Sequence, residues 1–559
     1  MARVTGAHLI CKALKLEGVQ NIFTLAGDHI LPLLNEIADR DFRLTDTRHE
    51  QAAVHMADAW GRITGQIGVC MYTTPGFANS IPGLVNAMHS EGPVLSIAGC
   101  ADLPDLGRGA QQEIEQVAMA APVAKGSFMV HDARRIPDMI ARAVRLAFSG
   151  RRGPVHLTIP IDVQEEMVNE DEVAFYSPEE YRAKESMLAN TEQVRQVVAL
   201  LRQAQRPLVL AGSAAGYAES GEVLQRFIET TRLPVLTEEQ ARGLISDEHP
   251  YAFGFFERGL NRVAAKVRDT DLLLLLGRKQ DFTIGFCRPP NVAVNAKIIQ
   301  IDPSSGEIGR NRGVTVGIIG DVTSVLEQLT KEASVYTWKE LPWLDELRAV
   351  RSAQAEWAKG LARPERPMHA MFVHKTLESM LRPDDCLVFD GGDFSHFGRS
   401  LLSARQPKHW FYVSSLGMLG SSIPTALAAK LAYPNSRVIV ITGDGSFGFN
   451  GMEFDTAVRH KLNIVAILGN DSAWGIDRQI QLGLYGRPVA TDLFQTRYEQ
   501  VVQGLGGYGE FVEQPEDLEP ALKRAFASGK PALLNVVVQR AISPRAEAAI
   551  ARRKAAASK

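Results

Sequence analysis

The chain carries no marked excess of either charge: 61 lysines and arginines stand against 64 aspartates and glutamates, a net −3 at pH 7. That balance excludes the electrostatic footprint of a protein built to bind nucleic acid or an anionic membrane. Cysteine is scarce. The five, Cys11, Cys70, Cys100, Cys287 and Cys386, lack metal-ligand spacing and are odd in number, so packing as reduced thiols is the expectation. No apolar run approaches the ~18 residues that a membrane span needs. Met1–Gly6 has no charged-then-apolar leader pattern, and a soluble, cytoplasmic protein is expected. Short-period repeats are also missing. What is present is length: 559 residues, 45% hydrophobic and 22% charged, are too many for one core and in proportion for a globular chain of several domains.

Three βα series follow one another. Residues 1–168 alternate helical pattern with short apolar strands at Asn21–Leu25, Gly68–Tyr72, Val94–Ala98 and Val155–Ile159, the rhythm of a parallel, doubly wound sheet. A polar, acidic stretch, Asn169–Glu192, reads as a linker. Residues 190–332 repeat the rhythm at Pro207–Gly212, Asp271–Gly277 and Lys297–Asp302, and a helical, charged connector runs over Glu332–Arg366. Residues 366–542 form the third series, from Cys386–Asp390 to Ala532–Val538, and 543–559 are a basic tail. The expected fold class is α/β, with three doubly wound parallel-sheet domains whose ligands bind beyond the carboxyl ends of the strands.

Gly443-Asp444-Gly445 closes the apolar run Val438–Ile441, and a second run, Ile464–Leu468, ends at Asn470-Asp471. This order puts hard oxygen donors at two strand ends, and the glycines let the backbone approach phosphate oxygens closely. Mg2+ favours such donors and completes its shell with phosphate and water. Upstream, Thr47-Arg48-His49-Glu50 follows Phe42–Asp46 and opens a helix carrying Ala52, Ala53, Ala57 and Ala59. Taken alone, a glutamate there is a charge favoured by the helix dipole.

Together these motifs resemble, over nearly the whole chain, the thiamine diphosphate-dependent decarboxylase and carboligase family. The branch is that of benzaldehyde lyase, 2-hydroxyacyl-CoA lyase, oxalyl-CoA decarboxylase and acetolactate synthase. The resemblance implies pyrimidine-binding, middle and diphosphate-binding domains in that order. It also implies a site shared by two subunits, hence a homodimer at minimum and commonly a homotetramer. Glu50 is implied at the pyrimidine N1′, where a carboxylic acid favours the imino form whose N4′ is the cofactor's own base. Asp444, Asp471 and the carbonyl of Ala473 are implied as Mg2+ ligands, although most relatives carry asparagine where Asp471 stands. Gly443, Gly445 and Ser446 belong to the diphosphate turn. Ser414–Gly420 matches the segment that bends the cofactor, with the Gly417 carbonyl accepting from N4′ and Leu419 as the wedge where many relatives place methionine. Asp390, Gly391, Gly392 and His396 resemble a loop that contacts the diphosphate in the acyl-CoA branch. His396 reads equally as a phosphate donor or a surface histidine. Thr73 and Asn79 fit the turn beside the pyrimidine.

On the substrate side, Asp28-His29 occupies the loop after the first strand. Benzaldehyde lyase has a histidine in place of His29, implicated there in proton transfer, and an imidazole exchanges protons near neutrality. A structural histidine satisfied by loop carbonyls is the other reading. Asp28, where relatives carry small or apolar residues, steers specificity or points to solvent. Gln112 aligns with the acyl-CoA and acetolactate branches and Gln111 with benzaldehyde lyase; an amide at either place orients a carbonyl or hydroxyl without charging it. Ile476, Gln479 and Ile480 line the substrate pocket by resemblance, or pack as helical apolar spacing usually does. The basic tail resembles a lid closing over the nucleotide of an acyl-CoA, or is solvated. Gly277-Arg278-Lys279 and Ile301-Asp302-Pro303 sit where relatives bind ADP or FAD, or nothing.

The function expected is a thiamine diphosphate- and Mg2+-dependent carbon–carbon lyase or carboligase acting on 2-hydroxy ketones or 2-hydroxyacyl-CoA. The alternative is a decarboxylating carboligase like acetolactate synthase, against which Gly277–Phe282 lacks the acidic-acidic-arginine pattern of biosynthetic members. A non-catalytic nucleotide-binding relative is a remoter reading, opposed by the presence of Glu50 and Asp444.

Overall fold

A computed structural model describes residues 3–182 and 187–557. Residues 183–186 of the expected linker, residues 1–2, and the last two residues of the tail lie outside the described residues.

Short, strongly apolar runs dictate the architecture. Leu272–Leu276 is buried along its whole length. Leu272, Leu274 and Leu276 join one core cluster while Leu273 and Leu275 join another. That is the period-two division of a strand covered by helices on both faces. The same logic gives a parallel six-stranded sheet in each βα series. In spatial order, the first holds Arg43–Asp46, Asn21–Thr24, Gly68–Tyr72, Val94–Cys100, Val155–Pro160 and Gly126–Met129. The second holds Ala252–Phe255, Val235–Thr237, Pro207–Ala211, Leu272–Leu276, Lys297–Asp302 and Val316–Ile319. The third holds Trp410–Tyr412, Cys386–Phe389, Val438–Gly443, Ile464–Asn470, Ala532–Val537 and Tyr508–Val512.

Numbered within its own sheet, the strand order is 2-1-3-4-6-5 in the first and third sheets and 3-2-1-4-5-6 in the second. In the first and third, the order reverses between strands 1 and 3, and the crevice at such a reversal is where doubly wound sheets bind ligands. The loops that leave those strands begin after Thr24 and Tyr72 in the first sheet, and after Phe389 and Gly443 in the third.

The chain divides into two compact units. One comprises Met1–Glu185, Val413–Asn435 and Asn450–Ile464; the other comprises Ser186–Tyr412, Ser436–Phe449 and Val465–Lys559. Six helices matter below: α1 (Glu50–Thr64), α2 (Thr74–Ser90), α3 (Asp393–Leu401), α4 (Ser422–Ala432), α5 (Gly475–Tyr485) and α6 (Pro544–Ala557). In the first unit, α1 is opened by the His49 imidazole, which accepts from the Gln51 amide at 3.1 Å, and closed by Gly65 at φ 74°. Ala52, Ala53, Ala57 and Ala59 are fully buried, and their small side chains let α2 and α4 pack closely against this helix.

Three expectations need correction. The stretch after Asn169 contains the boundary of the two units, as a linker does, but it carries local structure, with helical turns at Glu170–Glu172 and Pro178–Tyr181. The segment Asp390–Arg399 is loop only to Gly392. The basic tail is helical through Ala557 and rests on α5, where a side-chain atom on Gly483 would lie 2.6 Å from Ile550. Among the described residues, no helix is long and apolar enough to cross a membrane. All five cysteines are buried as free thiols.

Candidate active site

In the first unit, both loops at the strand reversal feed one polar cluster. The first turn of α2 reaches in two directions. Thr73 and Thr74 meet His29: the imidazole Nδ1 lies 3.2 Å from Thr73 Oγ1 and 3.1 Å from Thr74 Oγ1. One turn on, Asn79 Nδ2 donates to Glu50 Oε2 at 3.1 Å. Gly76 sits between them, and a side-chain carbon there would stand 2.8 Å from Glu50 Oε1 and 2.9 Å from its Cγ. Only glycine permits that carboxylate to lie against the helix.

Glu50 is 6% exposed at the first position of α1. The turn before it is anchored by Glu453, whose buried carboxylate accepts from the Arg48 amide at 3.0 and 3.2 Å and from Thr456 Oγ1 at 2.6 Å. His29 is buried, and desolvation lowers its pKa below the ordinary histidine value against the opposing charges of Asp28 and Asp102. Its backbone carbonyl accepts from Gln164 Nε2 at 2.8 Å, so backbone and ring are held independently. Asp28 is exposed, as are Gln111 and Gln112, the latter at φ 59°. The Ser414–Gly420 segment belongs to this unit and is pinned at its start, where Ser414 Oγ donates to Asn86 Oδ1 at 2.9 Å and Ser415 Oγ lies 3.2 Å from His89 Nδ1. Gly417 is exposed at φ 76°, and Leu419 is half-buried.

In the second unit, the equivalent reversal brings together the Asp390 and Asp444 turns. Asp444 is 2% exposed, and its Oδ2 accepts from the Ala473 amide at 3.2 Å. Burial, with the Asp471 charge added, raises its pKa to about 7. Asp471 rises to about 6 through burial and then the charge of Asp393. Asn470, part of the same motif, has a structural task. Its amide donates to Thr496 O and Asn535 Oδ1, each at 3.1 Å, while its Oδ1 accepts from the Ser472 amide at 3.2 Å. That brace holds Ser472 at φ 56° and turns the chain so that Asp471 and Ala473 follow the strand end. Gly443 and Gly445 are partly open and Ser446 is buried.

Asp390 is fully buried, its Oδ1 accepting from the Gly391 amide at 2.8 Å, and Gly392 at φ 96° leads into α3. His396 is neither on a loop nor at the surface. It is 2% exposed on α3, with Nε2 3.3 Å from Arg545 Nη1 of α6, and burial pushes its pKa well down. Asp393 has no well-aligned hydrogen bond to either carboxylate oxygen, and burial raises its pKa to about 6. Sequence reasoning did not single out Asp393, Gln116, Thr74 or Arg545. Asp393, Gln116 and Thr74 are neighbours of residues that the sequence does mark but carry no signal of their own, and the signal of Arg545 is only tail basicity. Ile476, Gln479 and Ile480 are half-buried on α5, where Gln479 Nε2 donates to Arg540 O at 2.6 Å. In the middle sheet, Arg278 is committed to Glu238 at 2.9 Å and Asp281 at 3.0 Å.

Comparison with known proteins agrees with this geometry. Residues 4–119, 194–329 and 390–536 match, respectively, the N-terminal TPP binding domain, the central domain and the C-terminal TPP binding domain of "Thiamine pyrophosphate enzyme". The chain is 32% identical over 540 residues to a "Probable acetolactate synthase" of Mycobacterium bovis, covering 96% of each. It is 32% identical over 576 residues to "2-hydroxyacyl-CoA lyase 2" of Danio rerio, covering 95% of this chain and 91% of that one. With "Oxalyl-CoA decarboxylase" of Escherichia coli it shares 28% over 544 residues, covering 95% and 94%. With an acidic turn at the strand reversal of the third sheet and this similarity over nearly the whole length, the chain belongs to the thiamine pyrophosphate enzyme family and is a thiamine diphosphate-dependent carbon–carbon lyase or carboligase.

Proposed function

We propose that this enzyme cleaves and forms the bond between a carbonyl carbon and a hydroxyl-bearing carbon, acting on 2-hydroxyacyl-CoA or 2-hydroxy ketones. The second unit fits a divalent cation and a diphosphate. Asp444 and Asp471 are carboxylates whose ionisation burial opposes, which is the electrostatic deficit that Mg2+ fills. Open space faces Gly392 and Gly448, where a side-chain carbon would meet nothing within 4 Å. Among the described residues no group of three or more His, Cys, Asp or Glu forms a metal site. The remaining ligands of Mg2+ therefore fall to the Ala473 carbonyl, phosphate oxygens and water.

When bound, thiamine diphosphate supplies the carbon nucleophile and electron sink of the reaction. In this reading Gly443, Gly445, Ser446, Asp390, Gly391, Gly392 and His396 line the diphosphate. Gly417 and Leu419 hold the bent shape, and Thr73 and Asn79 border the pyrimidine. Glu50 holds a proton at N1′, with Asn79 fixing its carboxylate. Gln111 or Gln112 orients the substrate oxygen, while Asp28, Ile476, Gln479 and Ile480 shape the pocket. His29 moves a proton at the substrate hydroxyl. Because Glu50 and the metal carboxylates serve complementary halves of the cofactor, the reading takes two copies of the chain as the minimal unit.

The observation that carries lyase chemistry is His29: a buried imidazole, its pKa lowered by burial, held by the start of α2, the helix whose Asn79 also holds Glu50. The "Probable acetolactate synthase" similarity supports the second reading, a decarboxylating condensation of 2-keto acids. Incubating purified protein, thiamine diphosphate and Mg2+ with a 2-hydroxyacyl-CoA, a benzoin-type ketone or pyruvate separates the two. Aldehyde release from either of the first two supports the proposal; CO2 from pyruvate with no cleavage of the others overturns it.

A further inference from the structure

We propose that Thr74 and Gln116 lock His29 as the Nδ1–H tautomer, so that its Nε2 enters the reaction as a bare proton acceptor. The inference rests on the proposed role of His29, but its physical content is separate. Gly99 O, which can only accept, receives Gln116 Nε2 at 3.0 Å and Thr74 Oγ1 at 3.0 Å. This fixes the Gln116 amide with nitrogen toward Gly99 and oxygen away, and it commits the single hydroxyl proton of Thr74. Gln116 Nε2 also donates to Thr74 Oγ1 at 2.9 Å. Thr74 is thereby an acceptor toward His29, and the 3.1 Å contact places the imidazole proton on Nδ1. In the opposite tautomer Nδ1 would accept from Thr73 Oγ1, 3.2 Å away, or from a Thr74 hydroxyl turned away from Gly99 O, while the proton on Nε2 would have no acceptor among the described residues.

The orientation of Gln116 is fixed in turn by a buried chain. Thr158 Oγ1 donates to Gln116 Oε1 at 3.0 Å and accepts from His156 Nε2 at 3.0 Å. His156 Nδ1 accepts from Ser96 Oγ at 3.0 Å, and Ser96 takes the Tyr72 hydroxyl proton. Every member is 2% exposed or less, burial keeps His156 neutral by pushing its pKa down to about 3, and the direction of the chain follows from the Gln116 oxygen that accepts at its end. Its consequence is that His29 acts as the base in cleavage and, as the imidazolium, returns the proton in ligation. The substrate O–H bond breaks, an Nε2–H bond forms, the positive charge rests on the imidazolium and the negative charge on the oxygen. Thr74 and Gln116 are positioning residues in this scheme; only His29 touches the reacting group.

Magic-angle-spinning NMR of sedimented holoenzyme labelled with 15N-histidine tests it, the His29 signals being assigned by their loss in His29→Gln. The expected result is a proton on Nδ1 and an unprotonated Nε2; a proton on Nε2 overturns the proposal. Thr74→Val is expected to give a mixed tautomer and to lower kcat on the order of tenfold with KM little changed, and Thr74→Ser to restore both. An unchanged single tautomer in Thr74→Val equally overturns it. If the tautomer is as stated but His29→Gln keeps full activity, the lock stands and the catalytic role of His29 fails.

Discussion

At the scale of single residues, the two halves of the site are acidic for different reasons. Glu50 is held by one amide donor against a bare glycine, a place for a carboxylic acid that gives and takes a hydrogen bond. Glu50→Gln keeps the shape but not the proton exchange. Its kcat is expected to fall about 10²-fold or more, with the melting temperature near wild type; steady-state kinetics beside calorimetry check both. Asp444 and Asp471 instead carry pKa values raised from 3.8 to about 7 and about 6. A carboxylate raised on folding stabilises the fold fully below its unfolded pKa and loses that contribution as pH rises through the folded one. The metal-free protein is therefore expected to lose stability between pH 4 and pH 7 as this pair ionises. Asp444→Asn is expected to flatten that loss, and Mg2+ with thiamine diphosphate to reverse it; thermal melts across pH report all three.

At the scale of elements, the apolar runs made the strands legible. Val438–Ile441, Ile464–Leu468 and the Leu272–Leu276 run are central strands because nothing else buries such segments on both faces. The acidic turns were legible for a related reason: each follows a strand end, where doubly wound sheets place ligands. Less legible were elements whose form depends on distant partners. The α3 helix begins at a glycine of positive φ, which reads as loop, and His396 is buried because α6 lies over it. The alanine-rich α6 has little helical signal beyond composition, and its seat is supplied by Gly483 on α5. Gln116 is not legible as a structural amide because the Gly99 carbonyl that orients it is 17 residues away. Two substitutions probe these elements. Gly76→Ala forces a side-chain carbon against Glu50 and is expected to cost about 1–3 kcal/mol as overpacking does, with kcat lowered more than stability requires; unfolding titrations and kinetics on one preparation read both. Gly483→Val collides with Ile550 and is expected to release α6, seen as faster amide exchange over residues 544–557 with the three sheets unaffected.

At the scale of the whole molecule, two sheets share one strand order, and a third of different order lies between them in sequence. Glu50 follows the edge strand Arg43–Asp46 and Asp444 the inner strand Val438–Gly443, so the two acids leave different positions of the repeated topology. The central claim of the proposed function is that the chain takes up thiamine diphosphate with Mg2+. Isothermal titration of the Mg2+-containing enzyme with thiamine diphosphate tests it most directly. The account predicts saturable binding at one site per chain, lost in Asp444→Asn and kept in Glu50→Gln. No heat of binding in the wild type, or full binding in Asp444→Asn, would contradict it.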